Sequence, residues 1–249
     1  MSNYIKYIAE IGVNHLGDES KARRMVEHSI QAGAVAVTFQ IQSDDYYDGT
    51  KSFRNKLSDN FYSKIIHLVH SLGKEIGIAL TESDKVNKWL DMGVDFWKVL
   101  SMDIDNDELL KSIKKTGKGM YISTGIASDD EIKKLYQSYS NAGYVHTTLT
   151  KSSEDANISA LNTIKSIVGD HVGYGLHAPD PETIYFAIAY SASFVFFYVI
   201  ENDVEYYPDY EHSIRTDKLG DWLIKWRESQ KWIGSGKKNK QNLPEWIFE

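Results

Sequence analysis

Ile8-Ala-Glu-Ile-Gly-Val-Asn-His-Leu-Gly17 puts an acid, an amide and an imidazole at the end of a short apolar run. Glu10, Asn14 and His15 are followed by an acidic helix start at Asp18, Glu19 and Ser20. Similar polar residues end each later apolar run. They are Thr38, Gln40 and Gln42, then Thr81 and Glu82, then Lys98, Ser101 and Asp103. Ser123 and Thr124 come next, then His146, Thr147 and Thr148, then Tyr174 and His177, and last Tyr198, Glu201 and Asp203. A lysine among serine hydroxyls suits a carboxylate or phosphate, and acids and imidazoles beside it can move protons. Lys98 has three readings: an anion ligand, a lining lysine neutralised by Asp103 or Glu10, or a Schiff-base nucleophile whose pKa falls on burial. Glu10, costly to bury alone, is a site acid or half of an ion pair. His177 is read as a substrate-binding or acid–base group or as a plain hydrogen-bonding residue, and His15 as ordering its loop. Asp44, Asp45 and Asp48 read as a solvated acidic loop.

Glycines punctuate the elements that must position these groups. Amphipathic stretches end at Gly33, Gly73, Gly93, Gly117, Gly143 and Gly169, each followed by a β-rich run. The expected strands are Tyr7–Ile11, Ala36–Gln40, Glu75–Leu80 and Phe96–Leu100, then Gly119–Ile122, Tyr144–Thr147, His171–Gly175 and Phe194–Val199. The expected helices are Glu19–Ala32, Asn60–Leu72, Ser83–Met92 and Asp107–Thr116. They continue with Asp129–Tyr139, Ile158–Ile167, Pro181–Tyr190 and Leu219–Ser229. Ser83 and Asp129 are expected helix N-caps. Strict alternation of eight strand–helix pairs predicts a closed parallel (β/α)8 barrel, one α/β domain over residues 1–249. In such a barrel the residues collected above ring the C-terminal mouth. The aromatics of the tail Leu-Pro-Glu-Trp-Ile-Phe (243–248) are expected to dock on the barrel floor.

Composition narrows the partners. Charge is 28 − 35 = −7 with no basic stripe, which argues against nucleic acid and leaves small anions open. The chain has no cysteine, so thiolate chemistry and disulfides are excluded, and a cytoplasmic location is expected. No run reaches the ~20 apolar residues that span a bilayer, and the N-terminus lacks a leader's apolar core. The expected partner is a small anionic or sugar metabolite, with homo-oligomers left open.

Motifs across the chain resemble the N-acetylneuraminate (sialic acid) synthase family, barrels that condense phosphoenolpyruvate with an amino sugar. The opening segment is one. Phe96-Trp-Lys-Val-Leu-Ser-Met-Asp-Ile-Asp-Asn106 is similar to the family's Y-K-I-A-S-G-D/E-x-x-N. Tyr121-Ile-Ser-Thr-Gly-Ile126 is similar to I-L-S-T-G-M, Val172-Gly-Tyr-Gly-Leu-His177 to G-x-S-D-H, and Pro208-Asp209 to the G-P-D segment. The resemblance implies Glu10, Lys98, Asp103 and His177 as catalytic residues. It implies Asn14, Gln40, Thr81, Ser101, Ser123, Thr124, Tyr198 and Asp209 as substrate-binding ones. Within it Lys98 and Ser101 bind phosphoenolpyruvate, Ser123 and Thr81 contact phosphate, and Asp209 orders the site. The family also holds manganese or magnesium on two histidines. Here the first is His177, while the second falls on Tyr198. Thr38 stands where the family has a lysine, Gly175 where it has a phosphate-binding serine, and Leu176 where it has an acid. The C-terminal antifreeze-like domain of bacterial members is expected to be absent. The expectation is therefore a divergent synthase-like barrel, binding an anionic 2-keto acid or sugar-derived metabolite without a metal cofactor and making or breaking carbon–carbon bonds. The alternative is a non-catalytic homologue that binds a metabolite or partner protein.

Overall fold

Alternate residues of a strand face opposite ways, and parallel pairing turns that alternation into a lined lumen. The structure, a computed structural model, describes residues 4–48, 56–201, 207–234 and 236–237. Asp203 and the aromatic tail lie outside the described residues. Eight parallel strands pair in chain order: β1 (Lys6–Gly12), β2 (Ala36–Ile41), β3 (Glu75–Leu80), β4 (Phe96–Val99), β5 (Gly119–Ser123), β6 (Gly143–His146), β7 (Val172–Gly175) and β8 (Phe194–Ile200). β8 also pairs with β1, Ile8 against Phe196 and Glu10 against Tyr198, which closes the barrel.

Helices cover the outside: α1 (Glu19–Ala32), α2 (Asp44–Tyr47), α3 (Asp59–Ser71), α4 (Val86–Asp91), α5 (Asp107–Lys115), α6 (Asp129–Ser138), α7 (Ala160–Val168), α8 (Thr183–Ala189) and α9 (Thr216–Ile233). Asp18 caps α1 through the Lys21 N–H, and Gly33 ends it at φ +113°. The last helix completes the ring by packing on α1, with Trp226 stacked on Tyr7 at 5.8 Å. Among the described residues no helix is long and apolar enough to cross a membrane.

The lumen is filled from below by Ile8, Ala36, Phe96, Tyr121, Val145, Phe194 and Phe196. Glycines make room for the rings. A Cβ on Gly77 would lie 2.2 Å from Phe96, and one on Gly143 would lie 2.7 Å from Tyr121. Gly143 is therefore not a helix-ending glycine as expected. It is a strand residue that leaves room for the Tyr121 ring.

Three further expectations are corrected. Ser83 opens a 3₁₀ turn, Ser83–Lys85, and caps no helix with its side chain. Ser128, not Asp129, caps α6, because its hydroxyl and Glu131 form a reciprocal capping box. The acidic loop is the short helix α2, where Asp44 pairs with Lys56 (2.6 Å) and Lys85 (3.3 Å). A ninth strand, β9 (Ser213–Arg215), was not foreseen. It pairs with Tyr198–Ile200 on the edge of β8 opposite β1.

Candidate active site

The order of lumen residues fixes what the mouth can offer. Above the aromatic floor, β1 contributes Glu10, β4 Lys98, β5 Ser123 and β8 Tyr198, all buried. Lys98 Nζ is in ion-pair contact with Glu10 Oε1, with side-chain exposures of 4% and 5%. The ammonium also lies over the rings of Phe196 (5.0 Å) and Tyr198 (5.8 Å). Two charges this far from water persist only because each neutralises the other.

One cavity of about 150 Å³ opens at this level. It is lined by Gln40, Lys98, Leu100, Ser101, Met102, Ser123, Val145, Thr147, Leu149, Gly175, His177 and Tyr198. The structure thus brings together Lys98, Ser101, Ser123, Gln40, His177 and Tyr198 from the sequence-derived set. Ser101 Oγ accepts from the Gly125 N–H at 3.1 Å, so its own proton can be offered to a ligand. A larger open groove of about 670 Å³ lies between α1 and α9, lined by His28, Gln31, Glu201 and Asp217 among others. It lies outside the barrel lumen and reaches Glu201, the residue just past the end of β8.

The other expected residues sit outside the cavity lining. Asp103 lies in the 3₁₀ turn after β4, half-buried, and burial pushes its carboxyl up to about 6. Thr81 Oγ1 is enclosed without a hydrogen-bond partner. Thr124 donates its hydroxyl to the Val145 carbonyl at 3.0 Å. Asn14 works as a clamp: its Nδ2 donates to the Val199 carbonyl (3.1 Å) and Ser213 Oγ (3.3 Å), and its Oδ1 accepts from the Asp209 N–H (3.2 Å). Two mouth candidates face the helix layer instead. Tyr174 donates to Thr183 on α8, and His146 is held through Nε2 by the Ala156 carbonyl, because both occupy outward positions of their strands. His15 accepts the Gly17 N–H at Nδ1, as a loop-ordering residue does, and burial holds it down at about 4.

Sequence reading missed Met102, Leu149 and, above all, His212. The ring of His212 stacks on His177 (4.7 Å, 13° between planes) and meets Tyr198 edge-on at 5.0 Å. His177 meets Tyr198 at 5.5 Å. Asp209 Oδ1 lies 3.7 Å from His212 Nε2. No signal in the sequence around Pro208-Asp209 pointed to His212. Burial, followed by the neighbouring His212 and Lys98, holds His177 down at about 3, and burial above all holds His212 at about 4. Burial and then Glu10 push Asp209 up to about 7, against the pull of Lys98. Tyr198 is driven well above the usual phenol range by burial, then by Glu10 and Asp209, so it stays a neutral phenol.

This chemistry tests the family's metal. Tyr198, the position to which the resemblance assigns the second imidazole, is a neutral buried phenol, and such a group is a poor ligand for manganese or magnesium. Among the described residues no group of three His, Asp or Glu side chains is arranged to hold an ion. The residues present do not fit the family's metal geometry.

Against this geometry, the sequence model of the NeuB family matches residues 24–238. The chain belongs to the NeuB family. It is 27% identical to N-acetylneuraminate-9-phosphate synthase of Mus musculus, over 95% of this chain and 73% of that protein. It is 25% identical to N,N'-diacetyllegionaminic acid synthase of Campylobacter jejuni, over 92% of this chain and 77% of that protein. Its fold matches a crystal structure of N-acetylneuraminic acid (sialic acid) synthetase from Leptospira borgpetersenii serovar Hardjo-bovis in complex with citrate. That match has a TM-score of 0.87 and 25% identity, and covers 97% of this chain and 89% of the other. This NeuB-family barrel is thus akin to synthases of carbohydrate biosynthesis. The opening segment, residues 8–17, precedes the matched span.

Proposed function

We propose that the chain binds a small anionic 2-keto acid or sugar-derived metabolite at the strand mouth and makes or breaks a carbon–carbon bond on it without the family's metal. The observation that carries this reading is the Glu10–Lys98 pair beneath a cavity lined by Ser101, Ser123 and His177. Lys98 and the two hydroxyls supply the anion contacts. Glu10 holds Lys98 in place and balances it until an anion arrives. His177, neutral at physiological pH, offers an uncharged imidazole to the same cavity. Gln40 and Tyr198 line the same cavity, and Asp103, Asp209, Asn14, Thr81 and Thr124 stand outside that lining. Thr38 supplies no charge, so affinity for a dianionic phosphate is weaker than a second lysine would give.

The size of the cavity favours a second reading. At about 150 Å³ it is smaller than the ~300–1,000 Å³ of ordinary ligand sites, which suits a metabolite-binding homologue without turnover. The two readings share the anion site and part at catalysis.

Thermal melts with inorganic phosphate, sulfate and phosphoenolpyruvate test the shared site. Wild type is expected to be stabilised more than Lys98→Ala and more than the double variant Glu10→Gln/Lys98→Met, which leaves no unpaired charge. Equal shifts in all three reject the site. Phosphate release from phosphoenolpyruvate with N-acetylmannosamine is expected not to depend on manganese. Robust manganese-dependent release would overturn the metal-free reading.

A further inference from the structure

We propose that Lys98 forms a Schiff base with the carbonyl of a small 2-keto acid, and that Thr147 holds the carboxylate of that acid. This deepens the function proposed above and rests on it. Breaking a carbon–carbon bond near a keto group needs a sink for the electron pair, and on the metal-free reading the chain must supply it. Among the described residues that line the cavity, Lys98 is the one amine. Its side chain is almost wholly shielded from solvent. The space it faces, about 150 Å³, suits a short acid better than a long sugar chain.

An ammonium becomes a nucleophile only after giving up a proton, and Glu10 Oε1 is in contact with Nζ to take it. The amine attacks the keto carbon, and a nitrogen proton passes to the former carbonyl oxygen. Glu10 then returns its proton to that oxygen, which leaves as water. What remains is an iminium cation beside a carboxylate, so the buried charge balance is the same before and after. The rings of Phe196 and Tyr198, 5.0 and 5.8 Å from Nζ, attract the cation in both states. In a 4-hydroxy-2-keto acid the C3–C4 pair flows into the iminium to give an enamine, while the 4-hydroxyl proton passes to the His177 imidazole in the same cavity. An aldehyde leaves, His177 returns the proton to C3, and water releases the shortened keto acid from Lys98.

Thr147 is an independent sign of a ligand. It follows β6, lines the cavity at 5% exposure, and its Oγ1 is enclosed without a hydrogen-bond partner. Such a hydroxyl is costly to leave alone, and a carboxylate oxygen would accept its hydrogen bond. Gly175 on β7 keeps space beside it, since a Cβ there would lie 3.5 Å from Oγ1.

Pyruvate with sodium borohydride, read by peptide mass spectrometry, tests the inference. Wild type is expected to gain one reduced pyruvate adduct, on the peptide that holds Lys98, and none without the reductant. Lys98→Arg keeps a cation for Glu10, so it should retain the phosphate stabilisation yet take no adduct there. The position of the adduct in wild type decides even if that variant fails to fold. Thr147→Val keeps the shape and should need about tenfold more pyruvate for half-labelling. No adduct at Lys98 in a folded wild type that phosphate still stabilises would overturn the Schiff base and leave the anion site standing. Adducts on exposed lysines with Lys98 spared would do the same. Equal labelling of Thr147→Val and wild type would remove Thr147 from the site. Wild-type melts unmoved by phosphate, with Lys98 labelled all the same, would instead strike the anion site of the proposed function.

Discussion

Glu10 on β1 and Lys98 on β4 meet across the lumen, each about 95% shielded, and no other ion pair described in the barrel is so enclosed. Alternation along the strands explains the meeting: Glu10 stands two residues past the floor residue Ile8 on β1, and Lys98 two past the floor residue Phe96 on β4, so both point into the lumen above the floor. Removing one partner strands the other charge. Glu10→Gln or Lys98→Met alone is expected to cost ~3–5 kcal/mol of stability, and the double change much less than the sum. Urea denaturation of the four proteins checks this, and additive losses would show that the two charges are solvated independently.

The floor yields a second expectation. The nearest atoms to a methyl on Gly77 belong to the ring of Phe96, at 2.2 to 2.6 Å, whereas one on Gly173 would also strike the Phe194 carbonyl oxygen at 2.4 Å. Both Gly77→Ala and Gly173→Ala should destabilise by ~1–3 kcal/mol or more through overpacking. Phe96→Leu should relieve the first, since the obstacle is a side chain. Phe194→Leu should not relieve the second, since the obstacle is backbone. Rescue of both would place the strands farther apart than described.

Asn14 is fully buried and spends its amide on three partners. Asn14→Ala should therefore cost ~1–3 kcal/mol and release the turn that holds Asp209 and His212. Hydrogen exchange at Ile214 and Arg215 is expected to speed up while the amides of β4 and β5 stay protected. Unchanged exchange at β9 would mean that the strand is held by its pairing to Tyr198–Ile200 alone.

The barrel was legible because its signals are local. Gly33, Gly73, Gly93, Gly117 and Gly169 all adopt positive φ after amphipathic stretches, and the β-rich runs between them became strands. Gly143 misled because a glycine that ends a helix and one that admits a ring look alike in one dimension. The Lys98 neighbourhood was legible for the same local reason, since alternation along β4 places Lys98 inward. His212 was not legible. Nothing in Tyr210-Glu-His212 shows that a turn will fold that imidazole onto His177, and the contact exists only once β9 lies beside β8. Asn14 reads as a ligand in sequence for a related reason: its three partners lie 185 or more positions away.

The pH dependence of stability follows from opposed groups in this same cluster. His15, His177 and His212 have folded pKa values of about 4, 3 and 4, below the ordinary 6.5. Between those values and 6.5 the unfolded chain binds more protons, so their contribution is present at neutral pH and is lost as pH falls. Asp209 runs the other way. Its folded value of about 7 exceeds 3.8, so the folded chain keeps a proton that the unfolded chain has released, and stability from this group falls as pH rises from about 4 to 7. Asp103, at about 6, acts in the same sense. Wild type should therefore lose stability on acidification below pH 6.5, with the two acids offsetting part of the loss. Asp209→Asn removes that offset, so its stability should be higher at pH 7.5 and fall more steeply toward pH 4.5. Urea midpoints measured across that range give both slopes. A shallower slope for Asp209→Asn would mean that Asp209 is ionised in the folded protein at pH 5, and that His212 faces a carboxylate across the whole range.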